Sequence, residues 1–189
     1  MAVDLKEQSG YGRLSPEMAA VLVEHIQGRI VWALGSGPTL AEPRLLVQAG
    51  AKRVYAVDKV RRGLHPAYIQ HDRIVECRAY ADEFIRSNPE VPDVVFLKWP
   101  DTAALWAPVF ADAPIVIYIG CNRRSTACGH PSIWRALSTR PILHVIEDMQ
   151  NDLVVYGAPN ARTQASSCRE EQEAMEAWGL TAMPRNHSD

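Results

Sequence analysis

Apolar residues in this chain gather in short, dense clusters that follow two different rhythms. Met18, Val21, Leu22, His25 and Ile26 recur at intervals of three and four, which places them on one face of a helix. Ser15-Pro16 opens that helix. Serine offers an acceptor to an unpartnered amide, and proline at the first helical position gives up an N–H that has no partner. Gly28 ends it, and His25 reads as a packed core or boundary residue. The second rhythm is the unbroken apolar run. Residues 29–34 (RIVWAL), 53–57 (RVYAV), 73–77 (RIVEC), 93–97 (DVVFL) and 114–119 (PIVIYI) are predicted strands. Helices are predicted around 44–48, between Pro43 and Gly50, and over 81–87, 102–110 and 131–139. Two further β runs, 142–146 and 153–156, are joined by the polar residues 147–152 at hairpin-like spacing. The acidic segment 168–178 is predicted as a surface helix.

Strands that are apolar throughout, instead of alternating, are buried on both faces, as in a parallel sheet covered by helices. The pattern therefore predicts an α/β fold: a doubly wound, mostly parallel seven-stranded sheet with helices on both faces and a C-terminal antiparallel hairpin. At 189 residues and 47% hydrophobic content there is material for one such domain. Residues 1–14 read as a flexible tail and 15–189 as the domain.

Twenty Lys+Arg against 22 Asp+Glu, a formal charge of −2, argue against a dedicated basic nucleic-acid surface. No apolar run approaches the roughly 20 residues that cross a bilayer, and the N-terminus lacks the apolar segment of a signal peptide. A cytoplasmic protein with no membrane partner is expected. The four cysteines are sparse enough to read as reduced thiols. Cys121, Cys128 and His130 form the one suggestive cluster, but a second tight Cys pair is missing, so no metal is expected.

The chemistry concentrates at strand ends. Leu34-Gly35-Ser36-Gly37 closes the first strand with two glycines, which permit a tight turn and let main chain approach a ligand. Asp58 ends the second strand, 21 residues beyond Gly37, where a carboxylate can accept from the two hydroxyls of a ribose. The alternative is a tight βα turn with a capping or salt-bridged Asp. Strand, loop, helix, strand and acid in that order point to a nucleoside cofactor. A dinucleotide, NAD(P), is the weaker reading, because Leu40 stands at the third glycine position of GxGxxG and 189 residues leave no room for the substrate domain a dehydrogenase usually needs.

Residues 31–40 (VWALGSGPTL) followed by 50–58 (GAKRVYAVD) resemble the first two motifs of the class I S-adenosylmethionine-dependent methyltransferases. The resemblance extends more weakly over about residues 29–157. It implies a Rossmann-like fold and S-adenosylmethionine as cofactor. Leu34, Gly35, Ser36 and Gly37 would meet its methionine part, Asp58 its ribose, and Ala81 and Asp82 its adenine, with Lys59, next to Asp58, also among the cofactor-binding residues. Helix capping is the other reading of Asp82. The chain departs from the family at Ala33, where an acid often stands, so another carboxylate or main-chain carbonyls would have to hold the cofactor ammonium.

The residues after the fourth strand face the reacting centre in this family. Amino-group DNA methyltransferases carry Asn/Asp-Pro-Pro-aromatic there, whereas this chain has Lys98-Trp99-Pro100-Asp101. Lys98 cannot accept from an amine, but it can lower the pKa of a hydroxyl or bind an anionic substrate group. Asp101 is the candidate base or acceptor, and Trp99 can stack on a planar substrate. A solvated Lys, a capping Asp and a packed Trp are the plain alternatives. Arg123 and Arg124, in the long loop after strand five, can grip an anion by paired hydrogen bonds or simply be solvated. The basic residues Lys52, Arg53, Lys59, Arg61 and Arg62 read mainly as surface. The expectation is a methyltransferase whose acceptor is a small molecule, protein or nucleic acid, the last less favoured by net charge. The alternative is an inactive binding or assembly module on the same fold. Neither acceptor atom nor oligomeric state is encoded in these motifs.

Overall fold

The computed structural model describes residues 14–60, 71–88, 90–100, 113–121, 131–148 and 151–159. The helices expected at 102–110 and 168–178 lie outside them. In chain order the elements are α1 (Pro16–Ile26), β1 (Ile30–Leu34), α2 (Ala41–Gln48), β2 (Arg53–Asp58), β3 (Ile74–Arg78) and α3 (Ala81–Ser87). They continue with β4 (Val94–Lys98), β5 (Ile115–Gly120), α4 (Pro131–Ser138), β6 (Ile142–Glu147) and β7 (Asp152–Tyr156).

The seven strands form one sheet in the order β3-β2-β1-β4-β5-β7-β6. β1 to β5 pair in parallel, while β7 runs antiparallel to both β5 and β6. The predicted hairpin is thus β6–β7, with its second strand inserted beside β5. The order reverses between β1 and β4, and a crevice opens at such a switch point beyond the strands' carboxyl ends.

Strand alternation divides the interior into two cores. Val31, Ala33, Val54, Ala56, Val94, Phe96, Ile117, Ile119, Leu153 and Val155 face α1 and α2, whose Met18, Leu22, Ile26, Leu45 and Leu46 cover them. Trp32, Leu34, Val95, Leu97, Val116, Tyr118, Val154 and Tyr156 face the other way, toward Phe84 of α3 and Ile133 and Leu137 of α4. Each central strand therefore buries both faces, which is why its sequence is apolar throughout. Leu14, at the end of the expected tail, packs against the first core.

Local signals act as the sequence suggests. Ser15 Oγ accepts from the Met18 amide at 3.1 Å, capping α1. The cap of α3 differs: Glu83, not Asp82, accepts from the Tyr80 amide, at 3.2 Å. β4 begins and ends one residue later than the apolar run. Asp93 stays outside it, accepting from the Ile30 amide at 2.8 Å, and Lys98 becomes its last residue, in register with Ile119. Among the described residues, no helix is long and apolar enough to cross a membrane.

Candidate functional site

At the tip of β1 the chain turns through Gly35 and Gly37, at φ +69° and +68°. A side chain there would carry backbone strain of about 1–2 kcal/mol, so glycine is what the turn selects. The loop is stitched to the end of β2. Val57 O accepts from the Gly35 and Ser36 amides at 2.9 and 3.2 Å and from Ser36 Oγ at 3.3 Å. Asp58 then completes the seam, its Oδ2 accepting from the Gly37 amide at 2.8 Å and its Oδ1 from the Val60 amide at 3.0 Å. A carboxylate has about four lone-pair sites. Two protein donors leave room for two more, and the side chain is only half-buried.

Leu40, at the third glycine position, is also left-handed at φ +58° and precedes α2 without a side-chain cap. Its side chain is fully buried in the first core. Burying a leucine is worth about 1.5–3 kcal/mol, which offsets a backbone cost of roughly 1–2 kcal/mol. Packing by an apolar side chain replaces the close approach a glycine would give.

At the tip of β4, beside the switch point, Lys98 is 3% exposed at its side chain and lies 3.5 Å from Glu42 Oε1, in the first turn of α2. Burial lowers the Lys98 pKa, and the Glu42 carboxylate opposes that shift. Glu42 is not among the residues the sequence motifs single out. The pairing spans strand four and helix two, so no local spacing announces it. Trp99 follows at φ +47°, its amide donating to Ile119 O at 2.8 Å and its indole Nε1 to Asn151 Oδ1 at 2.8 Å. Asn151, before β7, is 2% exposed, and its Nδ2 is buried without a hydrogen-bond partner. No sequence motif marks it either.

The β2–β3 side is more open. Lys59 is exposed and sits 5.6 Å from the Tyr80 ring centroid. Asp82 lies in the first turn of α3, exposed and ion-paired with Arg86 one turn on. Ala81 is half-buried beside it, against the second core. The fold thus brings Leu34, Gly35, Ser36, Gly37 and Asp58 into one seam and sets Lys98 and Trp99 at the neighbouring tip. Lys59 and Asp82 each hold a partner of their own on the β2–β3 side. Asp101, Arg123 and Arg124 lie outside the described residues.

Two further details frame the site. Tyr118 of β5 is wholly buried, donates to Cys121 O at 3.2 Å, and has its pKa raised by burial and then by Tyr156 and Asp152. Cys121 is disulfide-bonded, where the sequence leads one to expect a thiol. Spacing along the chain does not reveal which cysteines a fold brings within bridging reach.

No protein-family model matches the chain, and no curated protein matches it. Solved structures do. A proposed RNA methyltransferase from Pyrococcus horikoshii superposes at TM-score 0.55 with 15% identity, covering 84% of this chain and 97% of that one. Precorrin-6y C5,15-methyltransferase from Geobacter metallireducens gives 0.55 with 11% identity, over 83% and 96%. A third structure, a proposed methyltransferase complexed with SAH, gives 0.53 with 11% identity, over 75% of this chain and 48% of its own. At such identities the likeness is one of fold: this chain has the fold of the class I S-adenosylmethionine-dependent methyltransferases.

Proposed function

We propose that this protein is an S-adenosylmethionine-dependent methyltransferase. The observation that carries the reading is the seam at the tips of β1 and β2, where Asp58 accepts from the Gly37 amide at 2.8 Å and keeps lone pairs to spare. The fold likeness to methyltransferases, one of them holding SAH, supports the same cofactor class.

The residues present fit such a group. S-adenosylmethionine, when bound, supplies an electrophilic methyl on a sulfonium sulfur. Asp58 would hold the ribose hydroxyls, the main chain of residues 34–37 would lie along the methionine part, and Ala81 and Asp82 would flank the adenine. With Ala33 in place of an acid, Glu42 is the carboxylate near the glycine loop suited to an ammonium group, and Lys98 the cation suited to a carboxylate. Lys98 then serves binding more than activation of the acceptor, since its side chain is buried beside Glu42. Trp99, held at its indole nitrogen by Asn151, would present a fixed edge to a planar acceptor. Asp101 is the proposed base, and Arg123 and Arg124 the proposed grip on an anionic acceptor. Methyl transfer needs an aligned nucleophile more than covalent catalysis, so positioning is the main work of these groups.

Calorimetric titration with S-adenosylmethionine and its demethylated product tests the cofactor. Saturable binding that Asp58→Ala weakens by tenfold or more is expected, and equal affinity in both proteins would remove Asp58 from the site. Transfer of a labelled methyl to cell extract, fractionated into nucleic acid, protein and small molecules, identifies the acceptor class. The second reading, an inactive module, is favoured by Ala33, where the family often carries an acid, and by the Lys98-Trp99-Pro100-Asp101 segment, which keeps only the proline of the amino-group motif. Cofactor binding with no labelled acceptor in any fraction would select it.

A further inference from the structure

Far from the glycine loop in the strand order, at the edge of the sheet, α1 and β6 meet around three side chains that the proposed methyl transfer does not use. Glu24 and His25 are in the last turn of α1, and His144 is on β6. Glu24 Oε1 lies 3.7 Å from His25 Nε2 and 3.5 Å from His144 Nε2, and the potential ligand atoms of all three fall within 4.8 Å of one another. The two rings approach edge to face, with centroids 5.0 Å apart and planes at 68°.

A backbone irregularity assembles the group. Ile142 pairs with Tyr156 and His144 with Val155, so Leu143 is an extra residue on β6. A one-residue slip transfers every following side chain to the other face of a strand, and bulges commonly re-aim a side chain in this way. Val155 faces the α1 side of the sheet, so the bulge brings His144 onto the face that α1 covers. With regular pairing, His144 would oppose Val154, which faces the α3 and α4 side.

A second observation points to a ligand. His25 is 8% exposed, and its Nε2 is buried without any hydrogen-bond partner. Native proteins rarely leave such an atom unmatched unless a water or ion belongs there. Arg29 donates to His25 O at 2.9 Å, so it occupies the helix end and not the space between the rings.

We infer that Glu24, His25 and His144 form a binding site for a divalent ion of the zinc class, joining α1 to the edge strand. Two imidazoles and a carboxylate suit zinc and its neighbours better than the hard cations magnesium or calcium. Ligands about 2.0–2.1 Å from a tetrahedral ion stand about 3.4 Å apart, so the two Glu24 contacts need close by only a few tenths of an ångström, and the two imidazole nitrogens, within 4.8 Å of each other, by at most about 1.4 Å. His144 is 38% exposed at its side chain and Glu24 is exposed, so these two can supply that movement, leaving a fourth position for water. The site is independent of the methyltransferase reading.

The test is equilibrium titration of the tag-free, chelator-treated full chain with Zn²⁺, together with thermal unfolding in Zn²⁺ and in Mg²⁺. One saturable Zn²⁺ equivalent is expected, raising the Tm, while Mg²⁺ leaves it unchanged. Glu24→Gln and His144→Ala, both at positions open to solvent, should each weaken that equivalent by about tenfold or more, the least that removing a ligand costs when outer-sphere partners alone cost 10–100-fold. Far-UV circular dichroism confirms that both variants are folded. Absence of saturable binding, or binding that either variant leaves intact, overturns the proposal.

Discussion

Removing Glu42 should destabilise this protein more than removing Lys98, although the two make a single ion pair. At 3.5 Å, and with an effective dielectric constant of about 20, their attraction is roughly 5 kcal/mol. Against it stands the desolvation of two charges, which is unequal because the side chains are 3% and 12% exposed. Glu42→Gln leaves the deeper charge without its carboxylate and should cost about 3–5 kcal/mol at pH 7. Lys98→Met replaces the ammonium with apolar volume and leaves a carboxylate that has some access to water. About 1–2 kcal/mol is expected. The double variant should sit closer to the wild type than the sum, with a coupling of about 2–3 kcal/mol. Urea unfolding followed by tryptophan fluorescence measures all four corners.

A pH series sharpens the test. The folded pKa of Lys98 lies below its ordinary value of 10.5. Between the two, the unfolded chain binds more protons, so stability contributed by this group rises with pH up to about 10.5. Glu42 is the group that raises the folded value, so Glu42→Gln should start that rise at a lower pH than the wild type. A Glu42→Gln protein within about 1 kcal/mol of wild type, or a double variant that is simply additive, would refute the argument.

Three other expectations follow from the same geometry. Asp58→Ala should lower affinity for S-adenosylmethionine by tenfold or more, on the order of the 1.5–3 kcal/mol of a charged hydrogen bond, while leaving the melting profile intact enough for calorimetry. At Gly120 an added Cβ would overlap Tyr118 Oη and stand 2.8 Å from Cζ, so Gly120→Ala should cost about 1–3 kcal/mol in urea unfolding, with partial relief from Tyr118→Phe. Tyr118 keeps its proton in the fold after the unfolded chain has lost it, so it makes stability fall as pH rises above about 10. Tyr118→Phe should flatten that alkaline limb relative to wild type; an unchanged limb would deny the buried phenol its role.

What the sequence disclosed was whatever acts locally or fills both sides of a strand. The runs ending at Leu34, Leu97 and Ile119 are apolar because each successive side chain meets one core or the other, and Ser15-Pro16 signals a helix start by its own chemistry. The glycine loop and Asp58 were legible for the same reason, as a turn and an acid at two strand ends. Lys98 was harder. A boundary one residue later puts it inside β4, facing Glu42 across 56 positions of sequence, which no short pattern encodes. Asn151 under the Trp99 indole and the Leu143 bulge are likewise products of tertiary register. Asp82 is a different case. Arg86 is four residues on, the spacing of a helical ion pair, so its partner is encoded locally by the sequence itself.

The direction of β7 fixes where the polypeptide departs. Because it runs against β5, Tyr156 pairs with Val116, near the start of β5, whereas Asp152 pairs with Gly120, at its finish. Buried Arg140 fastens that departure point, donating from Nη1 to Gly157 O at 2.9 Å and to Ala113 O at 2.8 Å. Gly157 therefore stands at the pole opposite the glycine turn, separated from it by the length of a strand, about 17–20 Å. Gly120 and Cys121, by contrast, stand at the near pole, beside the glycine turn's end of the sheet. A fluorophore or surface tether attached just beyond residue 157 would begin at the end of the sheet remote from the glycine turn, the sensible place to anchor the molecule for measuring the proposed cofactor binding.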